Sequence, residues 1–266
     1  MATIVAPAPG AVWRDRFFLT TSIAMAAVVL AGFSLQFAMG RSSFGAPPIV
    51  HVHAVVFMGW VAIYVAQNVF AATGAQALHR RLGWIAAGWT VAMVVMGTLV
   101  TVRMVRAGSA PFFFTPVHFL ILNPVSVFAF AGLTAAAIVK RRQTEWHRRL
   151  HYCGMAVLLG PAFGRLLPMP LLIPYAYEAT FLAVLVFPLS GIVHDLRRRG
   201  SVHPGFVWGT GAVIAAALLT EVITYSPIGT AIYRSVAAGS PGASVAPDVY
   251  PPFPGTPLIT GRPASM

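Results

Sequence analysis

Charged residues make up only 9% of the 266-residue chain, against about 25% in an ordinary soluble domain. That shortage excludes water as the main solvent. One cysteine, Cys153, rules out an internal disulfide, and no CxxCH run exists for covalent haem attachment. One lysine, Lys140, sits in a basic loop, which removes the buried amine a retinal Schiff base needs. The acidic side chains are Asp15, Glu145, Glu178, Asp195, Glu221 and Asp248, and none falls at a predicted bilayer midplane, where proton-coupled transporters keep a carboxylate. There is no Gly-rich phosphate loop, no Ser-His-Asp order and no HxxHH run of the membrane di-iron kind.

What the chain has is apolar length. Hydrophobic residues are 58% of the total, and a crossing needs about 20 of them in a row. The spacing predicts an all-α polytopic membrane protein with seven transmembrane helices, near residues 17–39, 49–73, 79–104, 113–139, 147–167, 175–194 and 204–225. Residues 1–16 read as a cytoplasmic N-terminal arm. The run 17–39 exceeds the apolar core of a cleavable signal, usually about 7–15 residues, and reads as a retained helix. Residues 226–266 contain eight prolines, and they read as a Pro-rich extended C-terminal tail without a core of its own.

The net charge of +12 would point to nucleic acid in a soluble protein. Here the basic residues gather at the ends of apolar spans, as in cytoplasmic loops, so the expected partners are membrane lipids and not nucleic acid. With the N-terminus inside, twelve Lys and Arg fall on inner segments and six on outer ones. This bias places the N-terminus in the cytoplasm and the C-terminus in the periplasm of a bacterial inner (plasma) membrane.

Residues 51–150 hold one pattern twice. His53 is followed 26 residues later by His79-Arg80-Arg81-Leu82, and His118 is followed 29 residues later by His147-Arg148-Arg149-Leu150. Each interval can cross a bilayer and each HRRL opens another crossing. Predicted helices 2–5 therefore read as two duplicated hairpins, about 49–105 and 113–167. Histidine within a span is costly and marks a site by default. Facing histidines in a four-helix core can ligate b-type haem axially, which makes His53, His118, His79 and His147 the candidate cofactor ligands. Arg165, in the run GPAFGR, is a candidate anion partner beside His118 for a haem propionate or a quinone headgroup. A copper or zinc ion on His51, His53 and His118 is the alternative for the outer face. The plainer reading of HRRL is that its arginines hold helix ends to anionic headgroups.

The runs HAVVFMGW (His53–Trp60) and LHRRLGW (Leu78–Trp84) resemble the core of the cytochrome b561 group. The resemblance covers about residues 50–165. It implies four consecutive helices each bearing a haem ligand, paired second with fourth and third with fifth. Carried over, His53 pairs with His118 and His79 with His147, and the implied activity is membrane electron transfer by a haem oxidoreductase, with a quinone as exchange partner. The Arg pairs after His79 and His147, the seventh helix and the tail depart from that pattern. HRRL is also similar to runs in bacterial membrane proteins linked to oxidase assembly. That likeness implies the other functional reading, a cofactor-free scaffold or assembly factor whose helices and tail dock on a partner membrane complex.

Overall fold

The computed structural model describes residues 16–42 and 44–253. All but Arg16 of the expected N-terminal arm, and the end of the tail, lie outside them. In chain order the helices are α1 Phe17–Ala38, α2 Pro48–Thr73, α3 Gln76–Arg106, α4 Pro116–Val139, α5 Thr144–Val157, α6 Gly160–Leu166, α7 Ala176–Arg199, α8 Pro204–Thr224 and α9 Pro227–Ala237. Among the described residues, six of these (α1, α2, α3, α4, α7 and α8) are long and apolar enough to cross a membrane. The chain is an all-helical, multi-pass membrane protein.

Helix starts follow local chemistry. Pro48, Pro116, Pro204 and Pro227 stand at first helical positions, where a missing N–H leaves no bond unmade. Thr115 caps α4 by accepting from the His118 backbone N–H (3.3 Å). Gly74 (φ 77°) and Gly200 (φ 71°) close α2 and α7 in the left-handed region. The stretch expected as one helix over 147–167 is divided. α5 ends at Val157 and α6 begins at Gly160, because Pro161 has no N–H to continue the ladder and its ring crowds the preceding turn.

The core lies between α2, α4, α5 and α8 and is built on Trp60, Tyr64, Phe130, Tyr152, Met155 and Phe206. Large apolar side chains such as Leu30, Val55, Val91, Val186 and Leu218 point outward, the inversion expected where the surrounding solvent is lipid.

The C-terminal segment corrects the expectation of an extended tail. Ser226 caps α9 by accepting from the Gly229 N–H, and Gly229, Tyr233 and Ala237 turn one face inward onto Val105, Val117 and Leu120. The chain then straps the end of the bundle where α3 stops and α4 begins. The Val117 N–H donates to the Pro247 carbonyl (2.9 Å), Tyr250 Oη donates to the Pro174 carbonyl (3.1 Å), and Arg106 donates to the carbonyls of Val236 and Ala238. Gly242 makes this possible, since a Cβ there would sit 2.1 Å from the Val105 carbonyl oxygen. Gly242→Ala is therefore expected to cost about 1–3 kcal/mol and to speed proteolytic cleavage after α9. An unchanged cleavage rate would show that the strap does not depend on this approach.

Candidate functional site

The end of the bundle where α3 and α5 begin gathers three imidazoles from two helices. His79 opens α3, and its Nδ1 lies 3.3 Å from the Gln67 carbonyl at the end of α2. His147, in the first turns of α5, has its Nδ1 2.8 Å from the Ala137 carbonyl of α4. A carbonyl only accepts, so each Nδ1 carries the proton and each Nε2 presents a lone pair. The ring centroids of His79 and His147 are 6.1 Å apart with planes at 78°. His151, one turn along α5, stands edge-on to His147 at 4.7 Å. His79 and His147 are thus neighbours across α3 and α5.

The histidines near the starts of α2 and α4 are distributed differently. His53 stacks on Phe57 (4.3 Å, 28°), and its Nδ1 is buried without a hydrogen-bond partner in the protein. His118 is 5% exposed, stands edge-on to Tyr177 at 4.7 Å, and has Nε2 3.2 Å from Glu221 Oε1. No aligned hydrogen bond joins those two atoms. Among the described residues no ring contact joins His53 to His118. Arg165 donates to the Pro161 carbonyl (2.7 Å) and covers the Phe33 ring at 4.1 Å. Both contacts lie on α6 and α1, and neither is to His118, the neighbour expected for it. His51 donates from Nε2 to the Phe44 carbonyl (3.1 Å). The expected set of His51, His53 and His118 is not assembled, and among the described residues no three or more His, Cys, Asp or Glu side chains converge on a point a metal ion would occupy.

The two HRRL copies serve different ends. Arg80 and Arg81 are exposed, as headgroup anchoring requires. Arg149 is not an anchor. It is 1% exposed, beside Asp195 at 0%. Its Nε donates to Asp195 Oδ2 (2.9 Å), its Nη2 to Asp195 Oδ1, and its Nη1 to Glu145 Oε2 (2.5 Å). The His203 backbone N–H adds a bond to Asp195 Oδ2 (3.0 Å). Arg199 reaches Glu145 as well (2.7 Å). This network fastens α5, the helix that carries His147, to α7 and the start of α8. The sequence signal was slight: Asp195 stands just past the predicted span 175–194, and its burial is what calls for a cationic partner.

No known family, curated protein or solved structure matches the chain.

His203 adds a pH response at the same end. It caps α8, with Nδ1 accepting from the Gly205 N–H (2.9 Å). Burial, with Arg149 and Arg199 nearby, holds its imidazole below the ordinary value. A neutral ring caps and a protonated ring cannot. The contribution is therefore present above the unfolded value of about 6.5 and is lost as pH falls toward the lower folded value. His203→Asn keeps an acceptor that does not titrate, so the variant should lose less melting temperature than the parent between neutral and mildly acidic pH. Parallel curves would remove His203 as the cause.

Proposed function

We propose that the chain is a seven-crossing haem protein of the bacterial inner membrane, with His79 and His147 as axial ligands of one b-type haem at the cytoplasmic end. The observation that carries this reading is the paired geometry of the two rings. The ring centroids stand 6.1 Å apart, a spacing at which His79 and His147 could both hold one iron through bonds of about 2 Å. Each Nδ1 is engaged by a backbone carbonyl, the second contact that orients a ligating imidazole and leaves Nε2 for the metal. The outer pair does not fit the same test, since His118 Nε2 faces Glu221 and His53 lies against Phe57.

In this reading α5 and α6 lie end to end as the remaining crossing, since residues 144–166 are long enough for a span of about 20 residues. The duplicated hairpins are then α2–α3 and α4 with α5–α6, and the charge bias sets the N-terminus inside and the C-terminus outside. A bound haem supplies reversible one-electron exchange. The chain supplies orientation: the carbonyls of Gln67 and Ala137 hold the rings, and the Arg149–Asp195 pair holds α5 in register against α7. The exposed Arg80 and Arg81 flank the site on the cytoplasmic side, where an electron partner would approach.

Electron paramagnetic resonance of the oxidised protein tests the ligand set. Two imidazoles with planes near perpendicular predict a highly anisotropic low-spin ferric signal. A high-spin signal, with one axial ligand missing, would contradict the assignment.

A further inference from the structure

The strap encloses a pocket that the haem reading leaves unused. α9 and residues 243–247 wall a cavity of about 430 Å³, within the range of small-molecule sites. Tyr233, Ala237 and Val245 give it apolar walls, and the Tyr233 hydroxyl is turned away to the Gly242 carbonyl (3.0 Å). Arg234 lines the cavity as its one cation. Among the described residues its guanidinium has no hydrogen-bond or ion-pair partner, and Asp248, which follows Pro247 of the wall, does not reach it. The Ala246 backbone N–H is in the same lining and donates to no group among the described residues. No acidic side chain among those residues lines the cavity. The last carbonyls of a helix repel an anion, but here those of Val236 and Ala238 accept from Arg106.

Free donors without an acid call for an anion, and an arginine fork beside a backbone N–H suits phosphate oxygens. Ser244 adds a second requirement. Its proton lies on the Pro241 carbonyl (2.8 Å), so toward the cavity its oxygen only accepts. The ligand must therefore carry a donor next to its anion, and a glycerol hydroxyl is such a donor. The exposed arc of α9 runs from Arg234 round to Ile228 and Ile232. A helix with one basic and one apolar edge lies along a membrane surface, the apolar edge among acyl chains and the basic edge among headgroups. That sets the cavity at headgroup depth.

We propose that this cavity binds a phosphoglycerol group, with the phosphate on Arg234 and the Ala246 N–H and a glycerol hydroxyl on Ser244. An anionic phospholipid headgroup and a soluble glycerol phosphate both offer that group. Once bound, it joins α9 to residues 243–247 and holds the strap on the bundle. The site shares no residue with the proposed haem site, so the two stand or fall separately.

The full chain, delipidated in detergent, is titrated with dihexanoyl-phosphatidylglycerol, dihexanoyl-phosphatidylethanolamine, glycerol 3-phosphate or inorganic phosphate, and proteolytic cleavage after α9 is timed. Phosphatidylglycerol is expected to halve the cleavage rate at about a tenfold lower concentration than phosphatidylethanolamine. Arg234→Gln is expected to raise that concentration about tenfold, the effect of one charge-assisted hydrogen bond, and Ser244→Ala to narrow the preference between the two lipids. Arg103→Gln removes an exposed cation from α3 and should change neither. Equal protection by glycerol 3-phosphate supports the site with a soluble source, and protection by the lipid alone supports the headgroup. Equal action of the two lipids, equal protection by inorganic phosphate, or equal losses in Arg103→Gln and Arg234→Gln overturns the proposal. Native mass spectrometry of the unaltered protein guards against a variant that fails to fold. After exposure to an equimolar mixture of the two lipids, one retained phosphatidylglycerol per chain is expected, and none retained contradicts the site.

Discussion

Asp195→Ala is expected to destabilise the folded protein by about 3 kcal/mol or more. The variant leaves the Arg149 guanidinium buried with only Glu145 as a carboxylate partner, and it frees the first backbone N–H before α8 that Asp195 now binds. Removing one member of a buried pair costs more than the pair itself contributes, because the survivor stays desolvated. Two comparisons separate this from a general effect of charge. Arg80→Ala and Arg81→Ala change only exposed side chains and should stay within about 0.5 kcal/mol of the parent. Arg149→Met with Asp195→Leu removes both charges and should recover much of the loss. Thermal unfolding in detergent reads all four. If Asp195→Ala melts with the parent, the buried network is not what holds α5.

His79→Ala and His147→Ala are each expected to lower bound haem by more than about tenfold, since even the groups that only orient a metal ligand are worth about 10–100-fold. His53→Ala and His118→Ala should keep the full pigment, and so should His151→Ala, whose ring touches His147 but has no carbonyl to orient it. Absorbance per protein after purification measures this. Loss in the outer variants with retention in the inner ones would reverse the assignment and restore the outer pair.

Most of the helices were legible in the chain because a membrane asks for little: about 20 apolar residues and a break. The predicted bounds 17–39, 49–73 and 204–225 fall within a residue of α1, α2 and α8, since Pro48, Gly74 and Pro204 mark their ends. α9 was hidden by the prolines around it, although Ser226-Pro227 is a strong helix start. The closeness of His79 and His147 followed from spacing, because two crossings of similar length return to the same side. The separation of His53 and His118 did not, since rotation of a helix about its axis decides which neighbour a side chain meets, and apolar composition all round leaves that rotation unspecified. Arg149 was misread for a related reason. HRRL has the same four letters in both copies, and only the Asp195 opposite the second one turns its arginine inward.

The most direct measurement is a dithionite-reduced minus oxidised absorption spectrum of the purified protein, made with haem available during expression and with a haem-to-protein ratio. The account predicts a sharp b-type α-band at one haem per chain. A protein without pigment would contradict it and leave the cofactor-free scaffold, docking on a partner membrane complex, as the reading to pursue.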